Sequence, residues 1–406
     1  MCLALLNFAQ RRMRGLCKSH QRKQFVDALS GPPCWHESGS LLPRATEVAV
    51  MPIEFIWQLP SGSDGRYGNG TQSRRGERAG ADTAYFKPGV SDPRGTKFNY
   101  LDYLHQVARA ADLAGFDGLQ IRNDPQGDES WILAGYVARG TRHVRLLTEF
   151  DASRGSAVYA AKNAVSFQRY SGNRFAWQIG TGGSASQRLR QGDGAADGDI
   201  GPRIEEFVTV ARGVIASGSY SYKGRHFEVL EGGFKGPLSG QKAPPVYLSG
   251  NDAAAYERSA RVADVHVFDA LPLRELQAEI ARLRAVRRAE SRLLGLGLRI
   301  DVLARETEEE AVFDARRHLA QTQDDAAEIP HLSSYWPAFA AGSTGARAAL
   351  VGSYKQITGL LADYARAGIG TFILAAVPRL EEAYRIGEHV LPAVRAALGS
   401  PTRSAA

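Results

Sequence analysis

The stretch Leu298-Arg299-Ile300-Asp301-Val302-Leu303-Ala304-Arg305-Glu306-Thr307 decides the fold. It reads as a strand, with Ile300, Val302 and Ala304 on one face and Arg299, Asp301, Leu303 and Arg305 on the other. It runs straight into Thr307-Glu308-Glu309-Glu310, a capping-box pattern that starts a helix. A strand that feeds a helix belongs to a parallel sheet, whose strands are covered on both faces and are mostly apolar. Arg299 and Asp301, two residues apart on one such face, are therefore costly. Either they form a buried ion pair or sit at a fraying strand end, or they look into a barrel mouth where a polar ligand binds.

Working outward, the same strand-then-helix alternation repeats along the chain. Strands are predicted at 53–60, 118–122, 144–150, 174–180, 245–249, 265–268, in the opening stretch and at 370–376. Helices are predicted at 98–114, 129–138, 158–170, 204–216, 253–262, 273–287, 308–319, 355–367 and 380–397. A hairpin-like segment joins 220–222 to 227–230 across Lys223-Gly224. Eight β–α units favour a closed α/β (β/α)8 TIM barrel with insertions over an open doubly wound sheet. The missing G-x-G-x-x-G after the first strand points the same way.

Length and composition set the frame. The chain has 406 residues, enough for two domains or one barrel with insertions, and its 44% hydrophobic content supports a large core. No run of 18 apolar residues appears, so a transmembrane span is not expected. The net charge of +7 suggests nucleic acid or an anionic ligand, but residues 1–50 hold seven Lys/Arg against three acidic residues. Beyond them stand 43 basic and 40 acidic residues, which weakens the nucleic-acid reading. All three cysteines (Cys2, Cys17, Cys34) lie in that first segment too, so the body has no thiol for catalysis, iron–sulfur ligation or disulfides. Residues 1–50 are read as separate from the fold: an upstream mis-assigned start with translation beginning at Met51, or an Arg-rich targeting leader. The domain proper is 51–398, followed by a frayed tail at 399–406. Without a secretory apolar segment, a cytoplasmic body is expected.

In a barrel the chemistry sits at the C-terminal ends of the strands. Those ends read Arg122-Asn123-Asp124, Glu149-Phe150-Asp151, Thr181-Gly182-Gly183-Ser184, Ser249-Gly250-Asn251, Asp269, Arg299 with Asp301, and Val377-Pro378-Arg379. Ser249-Gly250-Asn251, just before a helix, is either a phosphate cradle or an ordinary capped loop. The nine histidines form no H-E-x-x-H or H-x-H, and no G-x-S-x-G elbow occurs. His105, His318 and His389 read as helix-surface residues and His266 as a satisfied core histidine. With no metal, thiol or serine triad in view, an organic cofactor is the expected source of chemistry.

From residue 51 onward the chain resembles the luciferase-like, flavin-dependent monooxygenases, and among them most the alkanesulfonate monooxygenases. The pieces that carry the resemblance are Phe55-Ile56-Trp57-Gln58-Leu59-Pro60, Ala110-Ala111-Asp112-x-x-Gly115-Phe116, Glu129-Ser130-Trp131 and Ser171-Gly172-Asn173-Arg174. They continue with Tyr222-x-Gly224-x-His226-Phe227, Pro244 to Gly250, Leu298-Arg299, Leu350-Val351-Gly352 and Glu381-Glu382-Ala383-Tyr384-Arg385. Their order and spacing, more than any one piece, make the likeness.

The resemblance implies a two-component enzyme. Reduced FMN (FMNH2) from a separate NAD(P)H-dependent flavin reductase would meet O2, and one oxygen atom would enter a small organic, possibly organosulfur, substrate. It puts Thr181 and Gly182 near the flavin, Ser249, Gly250 and Asn251 near its phosphate, and Arg299 beside flavin and substrate. Asp301, which departs from the family, is read at the catalytic centre either as the partner of Arg299 or as the residue that resets substrate choice. Trp57, and Asp269 and Arg379 where the chain departs from the family, are the candidate substrate residues. It also implies a homodimer or homotetramer, with no nucleic acid and no membrane. Alternatives that stay open are the deazaflavin F420 as cofactor for hydride transfer, and a flavin-binding barrel without monooxygenase activity.

Departures bear on the substrate. Where the alkanesulfonate enzymes carry Cys, Trp and His, this chain has Gly127, Asp269 and Asp301. Asp151 replaces an Arg, Val377 and Arg379 replace Tyr and His, and the mobile-loop Arg falls near Ser343. The mouth becomes more acidic, so simple anionic alkanesulfonates are expected to be poor substrates unless Arg122 and Arg379 replace the lost cations. The stretch 61–96 reads as a disordered insertion or a lid. The irregular region 320–354 reads as the mobile loop, with Trp336 and Phe339 as apolar cover.

Overall fold

The structure is a computed structural model that describes residues 53–60, 100–125, 127–153, 155–287, 293–321, 334–337 and 348–399. The expectations for 1–50, for 61–96, for Ser343 and Phe339, and for the tail beyond 399 lie outside the described residues.

Strands β1 (Glu54–Gln58), β2 (Gly118–Ile121), β3 (Arg145–Asp151), β4 (Phe175–Gly180), β7 (Val246–Ser249), β8 (Val265–Asp269), β9 (Gly295–Arg305) and β12 (Thr371–Ala375) form a closed parallel barrel. The closure is made by β8 against β9 and by β12 against β1. All eight predicted strands are present. Around them lie α1 (Tyr100–Leu113), α2 (Ser130–Gly140), α3 (Ala157–Ser171), α4 (Ala185–Arg190), α5 (Asp197–Ala216), α6 (Ala253–Val262), α7 (Leu273–Arg287) and α8 (Glu308–Gln321). They are followed by α9 (Tyr354–Arg366), α10 (Arg379–His389) and α11 (Leu391–Ala397). The closing helix predicted over 380–397 is thus two helices, broken at Val390 ahead of a proline in the first turn of α11. The predicted hairpin is β5 (Tyr220–Lys223) with β6 (Glu228–Gly232), outside the barrel.

Two strands were not expected. β10 (Tyr335–Pro337) pairs antiparallel with β11 (Ala348–Ser353), and β11 pairs parallel with the upper half of β9. β9 therefore forks: 295–299 pair with β8, 297–301 with β12, and 301–305 with β11. Its outer face, Ile300, Val302 and Ala304, stays in the main core, as the alternation predicts. Its other face changes neighbours along its length. Arg299 lines the mouth, Asp301 is 1% exposed at the seam, and Leu303 packs with Ala311, Ala315 and Trp336 in a second small core. Trp336, expected as loop cover, is instead buried there.

Strand parity sorts the rest. Inside the barrel Ile56, Leu147, Ala176, Tyr247, Val267 and Ile373 form one apolar layer. Below it the N-terminal end is plugged by Glu54, which accepts from Arg145 Nη1 (2.6 Å) and from the hydroxyls of Tyr247 (2.9 Å) and Thr371 (3.2 Å). Outside, Trp131, Phe150, Trp177 and Phe207 pack ring to ring and join α2, β3, β4 and α5. Truncating one such ring to Ala costs about 3–5 kcal/mol.

Several motifs of the resemblance prove to be latches of the fold. Asp112 accepts from the backbone N–H groups of Arg142, His143 and Val144 and fixes the entry to β3. Glu206 does the same for Arg225, His226 and Phe227 in the hairpin. The Arg174 guanidinium donates to the carbonyls of Ser171 and Val144, both at 2.9 Å, after α3 ends in left-handed Gly172. Glu382, 0% exposed, accepts from Arg305 Nη1 at 3.0 Å and from Arg385. Among the described residues no helix is long and apolar enough to cross a membrane.

Candidate active site

The C-terminal ends of β2, β3, β4, β7, β8 and β9 enclose a cleft of about 520 Å3, within the range of small-molecule and cofactor sites. It brings together Thr181, Gly182, Ser249, Gly250, Asp269 and Arg299 of the sequence-predicted set. Asn251 lies beside them, and its side-chain oxygen faces the Asp269 N–H at 3.4 Å.

Arg299 owes its position to register. β8 and β9 pair so that Asp269 stands opposite it, and Arg299 Nη2 donates to Asp269 Oδ1 at 2.6 Å. Both side chains are 12% exposed. The ion pair expected between Arg299 and Asp301 is made with Asp269 instead, and Arg299 lines the barrel mouth. Its ion-pair partner comes from the neighbouring strand, whereas Asp301 lies one step higher on its own strand and pairs in register with Ala349 and Ala375.

Three expected residues sit elsewhere. Trp57 points outward from β1 against Phe116, at 5.1 Å between ring centroids, because its neighbours Ile56 and Gln58 take the inward positions. Arg379 opens α10 at 1% exposure and is not among the residues lining the cleft. His318, expected on a helix surface, is 5% exposed. Burial holds its pKa down to about 4, with Arg317 pushing the same way.

The β4 turn is held from behind. Arg188 donates to the Gly183 carbonyl at 2.7 Å and pairs with Asp197. Gly182 has φ +74°, and a Cβ there would meet Arg188 Cγ at 2.9 Å. The next wall is Asp193, whose pKa is lowered chiefly by its hydrogen bonds from Arg203.

The β7–α6 turn faces it. Gly250 has φ +139°, and a Cβ would come within 2.6 Å of Ala255 Cβ, so only glycine brings this backbone so close to the helix. Asp252 caps α6 by accepting from the Ala255 N–H at 2.8 Å. One turn into the helix, Arg258 reaches the cleft and makes no hydrogen bond or ion pair among the described residues. Burial lowers its pKa, while Asp252 and Glu205 oppose that. Sequence reading missed Arg258. The available signal was a cation near the start of the helix that follows Ser249-Gly250-Asn251.

Behind this turn His266 lies fully buried between β8 and α6, a core histidine as read but only half satisfied: Nδ1 is 2.8 Å from Ser259 Oγ, while Nε2 finds no hydrogen-bond partner among the described residues. Burial lowers its pKa to about 4, against a small opposing effect of the Gly250 backbone. Across the barrel, Gln58 Nε2 donates to Gln120 Oε1 (2.8 Å) and Gln120 Nε2 to Gln178 Oε1 (2.6 Å). These three buried amides form a polar layer beneath the mouth.

A sequence model of the luciferase-like monooxygenase family matches residues 74–371. The chain belongs to the luciferase-like monooxygenases. Solved structures agree on the fold of this luciferase-like chain. A riboflavin lyase, crystallised with modified FMN and riboflavin, aligns with TM-score 0.67 at 15% identity, over 86% of this chain and 93% of its own. The EDTA monooxygenase of Chelativorans sp. BNC1 gives TM-score 0.64 at 16% identity, over 87% of this chain and 100% of its own. An F420-dependent secondary alcohol dehydrogenase gives 0.61 at 15% identity, over 85% and 100%. Among the described residues no cluster of His, Cys, Asp and Glu could hold a metal ion.

Proposed function

We propose that this chain is the oxygenase of a two-component, FMNH2-dependent monooxygenase acting on a small organic molecule. The observation that carries the reading is the cleft at the barrel mouth, which unites two glycine turns, the Arg258 cation and a clamped arginine. The residues fit the group. The close backbone at Gly250, the start of α6 and the Arg258 guanidinium make a donor set for a phosphate. Thr181 and Gly182 face them across the cleft for the ring system.

Reduced flavin, when bound, supplies the electrons that activate O2. The chain's part is to hold and orient. Ser249, Gly250, Asn251 and Arg258 take the phosphate, and Arg299, fixed by Asp269, presents a positive charge where negative charge develops. Asp301 sets the electrostatics behind that arginine. Trp57 and Arg379 take no part. A separate NAD(P)H-dependent flavin reductase supplies FMNH2.

Anaerobic titration with FMNH2, beside reduced F420, tests this. Tight FMNH2 binding followed by substrate-dependent O2 uptake is expected. Preference for F420, or binding of neither, overturns it. The Arg258→Ala variant sharpens the point. Its dissociation constant for FMN should rise about tenfold, the size of one lost charge-assisted contact. Riboflavin, which lacks the phosphate, should bind it as before. Equal losses for both ligands would remove Arg258 from the phosphate site.

A homodimer or homotetramer is part of the proposal. Ile132 and Tyr136 on α2 and Tyr159 and Tyr170 on α3 are large apolar side chains left exposed, as expected of an association face. Light scattering should read two or four chain masses, and a monomer at micromolar concentration would remove this part.

A further inference from the structure

Arg258 reaches the cleft from α6, but the wall its guanidinium lies against belongs to α5. The two helices pack together, and two latches set their spacing. Arg261 Nη2 donates to Glu205 Oε1 at 2.9 Å, and Arg212 Nη1 donates to the Val262 carbonyl at 2.8 Å. Each helix buries short or branched side chains: Ile204, Val208 and Ala211 on α5, and Ala255, Ser259 and Ala260 on α6. Packing of this kind is dense and does not open easily.

Gly201, in the second turn of α5, marks the place where the guanidinium passes. A Cβ built on it would stand 3.0 Å from Arg258 Nη1. Non-bonded heavy atoms pack best at about 3.5 Å or more. Among the described residues, no other atom from outside α5 would come within 4 Å of that carbon.

The backbone does not ask for glycine at this position. Its φ is not left-handed, and in a helix interior glycine is less stable than alanine. Pro202 follows, and a side chain ahead of a proline is crowded in helical backbone. That crowding bears on the stability of α5 and not on Arg258. Arg258 makes no hydrogen bond or ion pair among the described residues, so packing sets its direction. With the helices latched, a methyl group at 201 would be accommodated by the end of the arginine, and the guanidinium would leave its place.

We propose that Gly201 is a positioning residue for the phosphate subsite. By carrying no side chain it seats the Arg258 guanidinium against α5 and aims it at the phosphate. Position 201 thereby sets the preference for a phosphorylated flavin over an unphosphorylated one. The proposal rests on the reading of Arg258 as a phosphate ligand in the mouth cleft.

Calorimetric titration of the full chain with FMN and with riboflavin tests it, as a double-mutant cycle between positions 201 and 258. Gly201→Ala should raise the FMN dissociation constant about threefold, and Gly201→Leu about tenfold, the loss expected of Arg258→Ala. Riboflavin should bind both variants as before. In an Arg258→Ala background the same two substitutions should move FMN binding by less than about twofold, because the group they displace is gone. Pairing Gly201→Ala with Pro202→Ala relieves the crowding in the helix and should keep the FMN loss. Equal losses for FMN and riboflavin, losses that persist without Arg258, or no loss even with leucine overturn the proposal. Those outcomes leave the phosphate reading standing, because Arg258→Ala alone scores it. An Arg258→Ala variant that binds FMN as tightly as the unaltered chain removes that reading, and this proposal with it.

Discussion

Arg299→Ala should abolish coupled oxygenation, lowering kcat/KM for the substrate by about a hundredfold or more. A preorganised charge at a reacting centre is worth about 3–4 kcal/mol when removed. The same change should destabilise the fold by about 3 kcal/mol, because Asp269 at 12% exposure would be left as a buried carboxylate without its cation. The double variant Arg299→Ala with Asp269→Ala separates the two effects. It should regain most of the stability lost, since no charge is stranded, and regain none of the activity. Denaturant midpoints read the first, and substrate-dependent product against hydrogen peroxide release reads the second. A single variant that keeps full coupling would take the arginine out of the chemistry.

The second large effect concerns acid. His266 and His318 are buried, and burial lowers both pKa values from 6.5 to about 4. In the unfolded chain both titrate near 6.5. Between these values the unfolded state carries protons that the folded state refuses, so stability rises with pH across the window. It is fully present above about 6.5 and drains away as pH falls toward 4, by up to about 3 kcal/mol per histidine. Carboxylates with lowered pKa, such as Asp193 and Asp314, act in a separate window below the ordinary carboxylate range. Urea midpoints at about pH 7 and about pH 4.5 should therefore differ widely. His266→Asn retains an atom for Ser259 without the titration and should show a smaller drop. Flat stability across the window would mean that these rings protonate in place.

The barrel was legible because a parallel α/β fold writes the same word eight times, and all eight barrel strands were found. What local pattern cannot carry is pairing. β11 is a short apolar run whose reason to be a strand is the upper half of β9, far away in sequence. The partner of Arg299 is fixed by the register of β8 on β9, so adjacency along the chain favoured Asp301 over Asp269. Trp57 shows the same limit. Alternation said that Ile56 and Trp57 face opposite ways, but only the closed barrel says which way is in.

Among the candidate site residues, Thr181, Gly182, Ser249 and Gly250 in the glycine turns line the mouth. Those missed, Arg258 and Arg188, reach it from helices, where an arginine looks like any solvated charge. The quoted motifs shared with the luciferase-like family turned out mostly to tie loops to strand ends. A likeness in such motifs speaks loudly for the fold and softly for the substrate.

The fork in β9 has a consequence for anyone who would trim or exchange this protein's parts. Residues 301–305 have β11 as their outer neighbour, and β11 in turn is covered by β10. Excising that ribbon would not return a simpler barrel. It would lay bare a flat row of unpaired amides and carbonyls, the kind of raw edge that other chains adhere to. The ribbon is a hem, and it is sewn to the strand that carries Arg299.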